Sequence, residues 1–266
     1  MAIGVFDSGV GGLSVLRELR LVLPRHDMTY VADSKYVPYG TKSPELIRER
    51  SSAIARFLVE HRQSRVVVVA CNTATTHGVD RLRQDFPAVP IVGTEPAIKP
   101  ASRATRSGVV GILATGATLA GERVTNLIER NTDGIEVVTQ PCPGLVEQVE
   151  AGDLAGPATI ELLRRYTNPL LARGADAIVL GCTHYHFLQH TIQRLVGPSV
   201  TLFDSAAAIA RRTADVLADR AGPGPQESTA AGGRVVFLTS GDPSAVRPVL
   251  ETLWGERIVE AQPLGV

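Results

Sequence analysis

Short apolar runs rich in valine and isoleucine alternate along the chain with longer segments of helical period. That alternation admits few folds besides a mainly parallel sheet with helices packed on its faces. The run "AIGVF" leads to a helix expected from about residue 11 to 22, and "MTYVA" leads through a Pro/Gly loop to one from about 44 to 61. "RVVVVA" precedes a helix starting near Thr73, and "VPIVG" one starting near Pro96. "GVVGIL" comes before a helix from about 118 to 130, and "GIEVVT" before two helical stretches between about 144 and 172. "DAIVLG", "VTLF" and "RVVFL" complete the set, each followed by a helix, so eight or nine βα units are expected and the fold class is α/β.

A chain of 266 residues can carry one large α/β domain or two smaller ones. "GTEPAIKPA" (93–101) holds two prolines and precedes a fresh run of βα units, which marks it as a domain crossover; "RAGPGPQESTAAGG" (220–233) is polar and Gly/Pro-rich, a surface excursion before one last strand and helix. A weak internal repeat supports two similar lobes. "VVVVACNTAT" (66–75) and "AIVLGCTHYH" (177–186) each run a buried strand into a lone cysteine followed by polar residues, as though two sets of strand ends faced one cleft.

The formal net charge is zero and the arginines are dispersed, so the electrostatic footprint of a nucleic-acid binder is absent and a small neutral or anionic ligand is expected. Nothing near Met1 reads as an export signal and no apolar run approaches a membrane span, so the expected setting is cytoplasmic, away from membranes. Only Lys35, Lys42 and Lys99 are lysines, and none follows an obvious buried strand, which disfavours a Schiff-base cofactor. Three cysteines in such a chain argue for reduced thiols rather than a disulfide framework.

In "VFDSGVGGLSVLREL" the spacing fails the dinucleotide fingerprint, because Ser14 stands where the third glycine is needed. The stretch still sets Asp7 and Ser8 at a strand end, with glycines that let backbone pass close to a ligand; a helix cap on a tight turn is an equal reading. Cys71 and Cys182 each lie where a strand meets a helix start, a place where helix amides lower a thiol pKa from about 8.5 toward neutrality. Cys142, in "QPCPGL", lacks that context and is assigned to structure. Asn72, Thr73, Thr115, Thr118 and Thr183 are short polar residues at strand ends, suited to holding carboxylates, while Tyr39 and Gly40 sit on a loop. The run Cys182, His184, His186, His190 resembles a metal cluster, but only one or two of its members can converge once the chain turns helical after Thr183 and no second cluster supplies the rest, so no metal is expected. His184 is better placed as an acid or base beside Cys182, with a surface histidine as the alternative reading, and Glu150 is a helix-end carboxylate that on the residues alone reads as solvated rather than as the group that orients His184.

Two thiols facing one cleft can oxidise, bind a soft metal, or act as acid and base on opposite faces of one carbon. No Cys-x-x-Cys and no further ligand set support the first two. Inverting a stereocentre needs one group that takes the α-proton and a second, already protonated, that delivers from the far side; a thiolate and a thiol meet that need and exchange roles for the reverse reaction.

Together "GVFDSGVGGLSVLREL", "VPYGTKS", "VVACNTATT", "GTEPAIKPA", "LATGAT", "LGCTHY", "FDSAAAIA" and "TSGDP" resemble, in order and over nearly the whole chain, the glutamate racemases of the cofactor-independent aspartate/glutamate racemase superfamily. The resemblance implies two lobes related by a pseudo-two-fold axis with the active site between them: residues 1–94 plus 207–266 with Asp7 and Cys71, and residues 95–206 with Cys182 and His184. It implies racemisation of glutamate without a cofactor, supply of D-glutamate for peptidoglycan, and a homodimer. By motif, Cys71 takes the proton from D-glutamate and Cys182 from L-glutamate; Asp7 assists Cys71, and His184, paired with Glu150, assists Cys182. Ser8, Tyr39, Gly40, Asn72, Thr73, Thr115, Thr118 and Thr183 hold the substrate's amino and carboxylate groups together with Asp7 and His184. The chain departs from the family pattern at His186, where a proline is usual, and at Thr75 and Thr76. Alternative readings are an aspartate or hydantoin racemase, or a regulatory protein of the kind reported to inhibit gyrase.

Overall fold

The computed structural model describes residues 2–220, 232–256, 258 and 261–265. The chain opens with β1 (Ala2–Asp7), α1 (Leu13–Val22), β2 (Asp27–Ala32), α2 (Pro44–Arg56), β3 (Val66–Val69), α3 (Asn72–Asp85) and β4 (Ile91–Gly93). After α4 (Ile98–Ala104) come β5 (Val109–Ala114), α5 (Gly116–Leu119), α6 (Glu122–Asn131), β6 (Glu136–Pro141), α7 (Leu145–Glu150), α8 (Pro157–Ala172), β7 (Ala177–Leu180), α9 (Gln189–Val196) and β8 (Thr201–Phe203). Then α10 (Ala206–Asp219), β9 (Val235–Thr239), α11 (Pro243–Trp254) and β10 (Ala261–Pro263) complete the described chain.

Two parallel sheets result, a six-stranded one ordered β10-β9-β2-β1-β3-β4 and a four-stranded one ordered β6-β5-β7-β8. The chain thus leaves the first sheet after β4, builds the second, and returns through α10, which packs on α1. Strand β3 shows why "VVVV" is written as it is. Its side chains alternate between faces, Val66 and Val68 joining Leu13 and Leu16 of α1 and Ile209 of α10, and Val67 and Val69 joining Ile47 and Ile54 of α2. All four valines are fully buried, which is the condition for a central parallel strand covered by helices on both sides.

Register aligns the strand ends. Phe6 pairs with Val69 in the first sheet and Leu113 with Leu180 in the second, so Asp7 lies level with the approach to Cys71, and Thr115 level with the approach to Cys182. These are carboxyl ends, where parallel α/β sheets collect ligands.

Several expected boundaries move. The second helix ends at Arg56 and continues as a π-helical turn, Phe57–His61, closed by the Arg62 amide donating to the Phe57 carbonyl. The expected 118–130 helix is two helices, α5 and α6. The segment after Cys182 is a 3-10 turn, Thr183–Leu188, before α9 begins. Strand β10 was not expected: "AQP" is three residues with a proline, and only pairing to the edge of β9 makes it a strand. Most of the polar stretch at 220–233 lies outside the described residues.

Candidate active site

Cys71 caps the N-terminus of α3 in an extended conformation, its sulfur accepting the Ala74 amide at 3.4 Å. Cys71 Sγ stands 3.8 Å from Ser8 Oγ, and Ser8 Oγ donates to Asp7 Oδ1 at 3.3 Å. Asp7 is fully buried; its Oδ1 also accepts the Gly9 amide at 2.9 Å, and its Oδ2 accepts the Thr183 hydroxyl at 2.9 Å. Thr183 follows β7, so this last bond crosses from one sheet to the other. Burial raises the Asp7 carboxyl above the usual carboxylate range, against the pull of His184 and the Gly9 amide.

Burial, then the Asp7 charge, push the Cys71 thiol up to about 12, with the Cys182 sulfur adding to the push. This corrects the expectation that helix amides bring Cys71 toward neutrality. One amide does reach the sulfur, but desolvation by a strand end closed on all sides outweighs it.

Cys182, two residues past the end of β7, keeps an extended conformation and lies 3.7 Å from His184 Nδ1. The other ring nitrogen, Nε2, is 2.6 Å from Glu150 Oε1, and that same oxygen accepts the Val10 amide at 2.7 Å. Burial opposes charge on His184, which is only 1% exposed, yet its hydrogen bonds to Cys182 and Glu150 prevail and raise its pKa well above the usual imidazole value. An imidazolium here donates from both nitrogens and stabilises negative charge on the neighbouring sulfur.

The glycines of "DSGVGG" make room for these groups. A Cβ at Gly9 would run into the Glu150 carboxylate, and one at Gly11 into the His184 ring. The turn therefore lets backbone approach Glu150 and His184 of the second sheet closely, where sequence suggested only an approach to a ligand.

Thr73, Thr115 and Thr118 form a hydroxyl triangle with edges of 2.9 to 3.0 Å, Thr73 from the first sheet's α3 and the other two from the second. Asn72 is 4% exposed and its Oδ1 has no hydrogen-bond partner among the described residues. Gly40 packs directly against Thr115. The Tyr39 hydroxyl is committed elsewhere, donating to Asp33 Oδ2 at 2.6 Å. The histidine run spreads: His186 faces Asp204 at 3.7 Å and His190 is exposed. Cys142 is buried and donates to the Gln140 carbonyl at 3.2 Å. Sequence reasoning missed Asp33 and Arg50; the one signal available was "TYVAD", a second strand ending in aspartate like "GVFD".

A family model described as Asp/Glu/Hydantoin racemase matches residues 3–213, and the chain belongs to that family of amino-acid racemases. Its relatives place it beside one member activity. A glutamate racemase of Stutzerimonas stutzeri is 50% identical over 257 residues, covering 97% of this chain and 95% of the relative. Another, of Pseudomonas aeruginosa, is 48% identical over 257 residues, covering 96% and 94%. Among solved structures, Escherichia coli glutamate racemase in complex with L-glutamate and the activator UDP-MurNAc-ala superposes with a TM-score of 0.85 at 35% identity, covering 99% of this chain and 97% of that one. The Francisella tularensis enzyme in complex with D-glutamate gives a TM-score of 0.84 at 26% identity, with the same coverage. Among the described residues no helix is long and apolar enough to cross a membrane.

Proposed function

We propose that this chain interconverts L- and D-glutamate by two-base 1,1-proton transfer, without a cofactor, using Cys71 and Cys182 on opposite faces of the substrate's α-carbon. The observation that carries the reading is that each strand-end thiol has its own titratable partner: Asp7 through Ser8 for Cys71, and the His184–Glu150 pair for Cys182.

From L-glutamate, the Cys182 sulfur beside the imidazolium takes the α-proton, and Cys71, a thiol at neutral pH, delivers its proton to the opposite face. From D-glutamate, Cys71 must first lose its proton. Asp7 is the acceptor within reach through Ser8, and its raised pKa suits that task. Asn72 and the Thr73–Thr115–Thr118 triangle, with Thr183, Tyr39 and Gly40, hold the amino and carboxylate groups.

The sheet membership supports lobes at 1–94 plus 207–266 and 95–206, with the site between them. A cytoplasmic homodimer supplying D-glutamate for peptidoglycan completes the reading, and it rests on the resemblance to glutamate racemases; rescue of a D-glutamate auxotroph by the gene tests it. The direct test is incubation with L-glutamate in deuterium oxide, without added cofactor. Racemic product carrying α-deuterium is expected, and full activity after replacing both Cys71 and Cys182 by alanine would sink the proposal. Aspartate and hydantoins in the same assay check the substrate class.

A further inference from the structure

The loop between β2 and α2 is held by an ion pair that the acid/base groups do not use. Asp33, immediately after β2, is fully buried, and its two carboxylate oxygens accept Arg50 Nη2 at 2.9 Å and Nε at 3.0 Å. The oxygen bound to Nε also accepts the Tyr39 hydroxyl at 2.6 Å. The Arg50 guanidinium lies over the Tyr36 ring, 4.3 Å from its centroid. Both tyrosines of "YVPYG" are therefore tied to one arginine on α2.

Two contacts join this assembly to the site. The Asp33 amide donates to the Asp7 carbonyl at 3.0 Å, and Gly40 runs so close to the second sheet that a Cβ there would stand 2.8 Å from Thr115 Cβ. Gly40 is thus where a loop of the first sheet meets the hydroxyl triangle. A buried ion pair yields little net stability over an apolar replacement of the same shape, and a bidentate arginine stacked on a ring fixes one geometry that lysine cannot copy.

We propose that Arg50 is a positioning residue for substrate binding: through Asp33, Tyr36 and Tyr39 it fixes the loop at 36–41 so that the Tyr39–Gly40 backbone closes on Thr115. The inference rests on the racemase reading. Arg50 touches no proton-transfer group, so it governs affinity; a loop that must be ordered anew by each substrate takes that ordering cost out of binding.

The test uses the full chain and the variants Arg50→Lys and Tyr36→Leu, with KM and kcat measured from both enantiomers and α-deuterium wash-in measured at saturating glutamate. Because the enantiomers have equal free energy, kcat/KM must fall by the same factor in both directions, which checks the data internally. Arg50→Lys is expected to raise KM about tenfold, and Tyr36→Leu, which keeps the ion pair, about threefold, with saturated wash-in changed by less than about threefold. A merely structural role lowers the active fraction, and with it kcat, at unchanged KM; that result overturns the proposal. Should Arg50→Lys fail to fold, an unchanged KM in Tyr36→Leu overturns it equally. A wild-type chain that exchanges no deuterium overturns the racemase reading and this proposal together, whereas an active wild type with unmoved variants overturns this proposal alone.

Discussion

His184 Nε2 and Glu150 Oε1 stand 2.6 Å apart, with the imidazole almost wholly enclosed and its second nitrogen turned to Cys182. The bonds to Cys182 and to the Glu150 carboxylate together favour the charged ring, against the burial that opposes it.

Replacing Glu150 by Gln keeps the shape and removes the charge. Turnover should fall about tenfold to a hundredfold, the rate equivalent of one charge-assisted hydrogen bond. Because His184 has a raised folded pKa, its contribution to stability is fully present below its ordinary value of 6.5 and is lost as pH rises through the raised one. In Glu150→Gln that loss should be complete at lower pH and smaller in total, read by NMR titration of His184 and by urea unfolding across the pH range.

Cys71 makes an alkaline prediction of the same sign. The unfolded thiol titrates near 9.0 and the folded one near 12, so the folded state retains a proton that the unfolded state gives up. The stability this provides is complete below about pH 9 and drains away toward pH 12. Urea unfolding at pH 8 and pH 10 should show a smaller decline for Cys71→Ala than for the wild type; an identical decline contradicts the burial argument.

Gly11→Ala tests close approach. The added methyl would occupy the place of the His184 ring, which is buried and bonded at both nitrogens, to Cys182 and to Glu150. Activity should drop at least about tenfold, the cost of about 1–3 kcal/mol of overpacking falling on the acid/base pair, while circular dichroism stays that of the folded chain. Wild-type kinetics in this variant would show that the ring moves freely.

Two arginines separate buried from exposed ion pairing. Arg50→Ala leaves the Asp33 carboxylate buried and unpaired, and about 3–5 kcal/mol of stability should be lost. Arg123 joins Asp80 at 3.4 Å and Glu95 at 3.0 Å, but those partners are 73% and 49% exposed, so Arg123→Ala should cost less than about 1 kcal/mol. Chemical denaturation of the two variants side by side gives the comparison.

The architecture and the thiols were legible in the sequence because their signals are local. Four valines ending in a cysteine can be read within a window of ten residues, and the same pattern before Cys182 gave the second strand end. The Asp33–Arg50 pair was not legible, since its members stand 17 residues apart on a strand end and a helix, a spacing that no local period marks. Cys71 was visible as a helix cap, but the enclosure that reverses the effect of capping on its pKa is a property of the packed sheet. The bond between Thr183 and Asp7 was hidden for a similar reason: each residue carried a plausible local role, and only the folded chain shows that they meet.

That bond has a counterpart running the other way. Asp7 of the first sheet is gripped by Thr183 of the second, and Glu150 of the second by the Val10 amide of the first. Any motion that parts the two sheets must break both at once, while the bond from Ser8 to Asp7 and that between His184 and Glu150, each made within one sheet's residues, need not break at all.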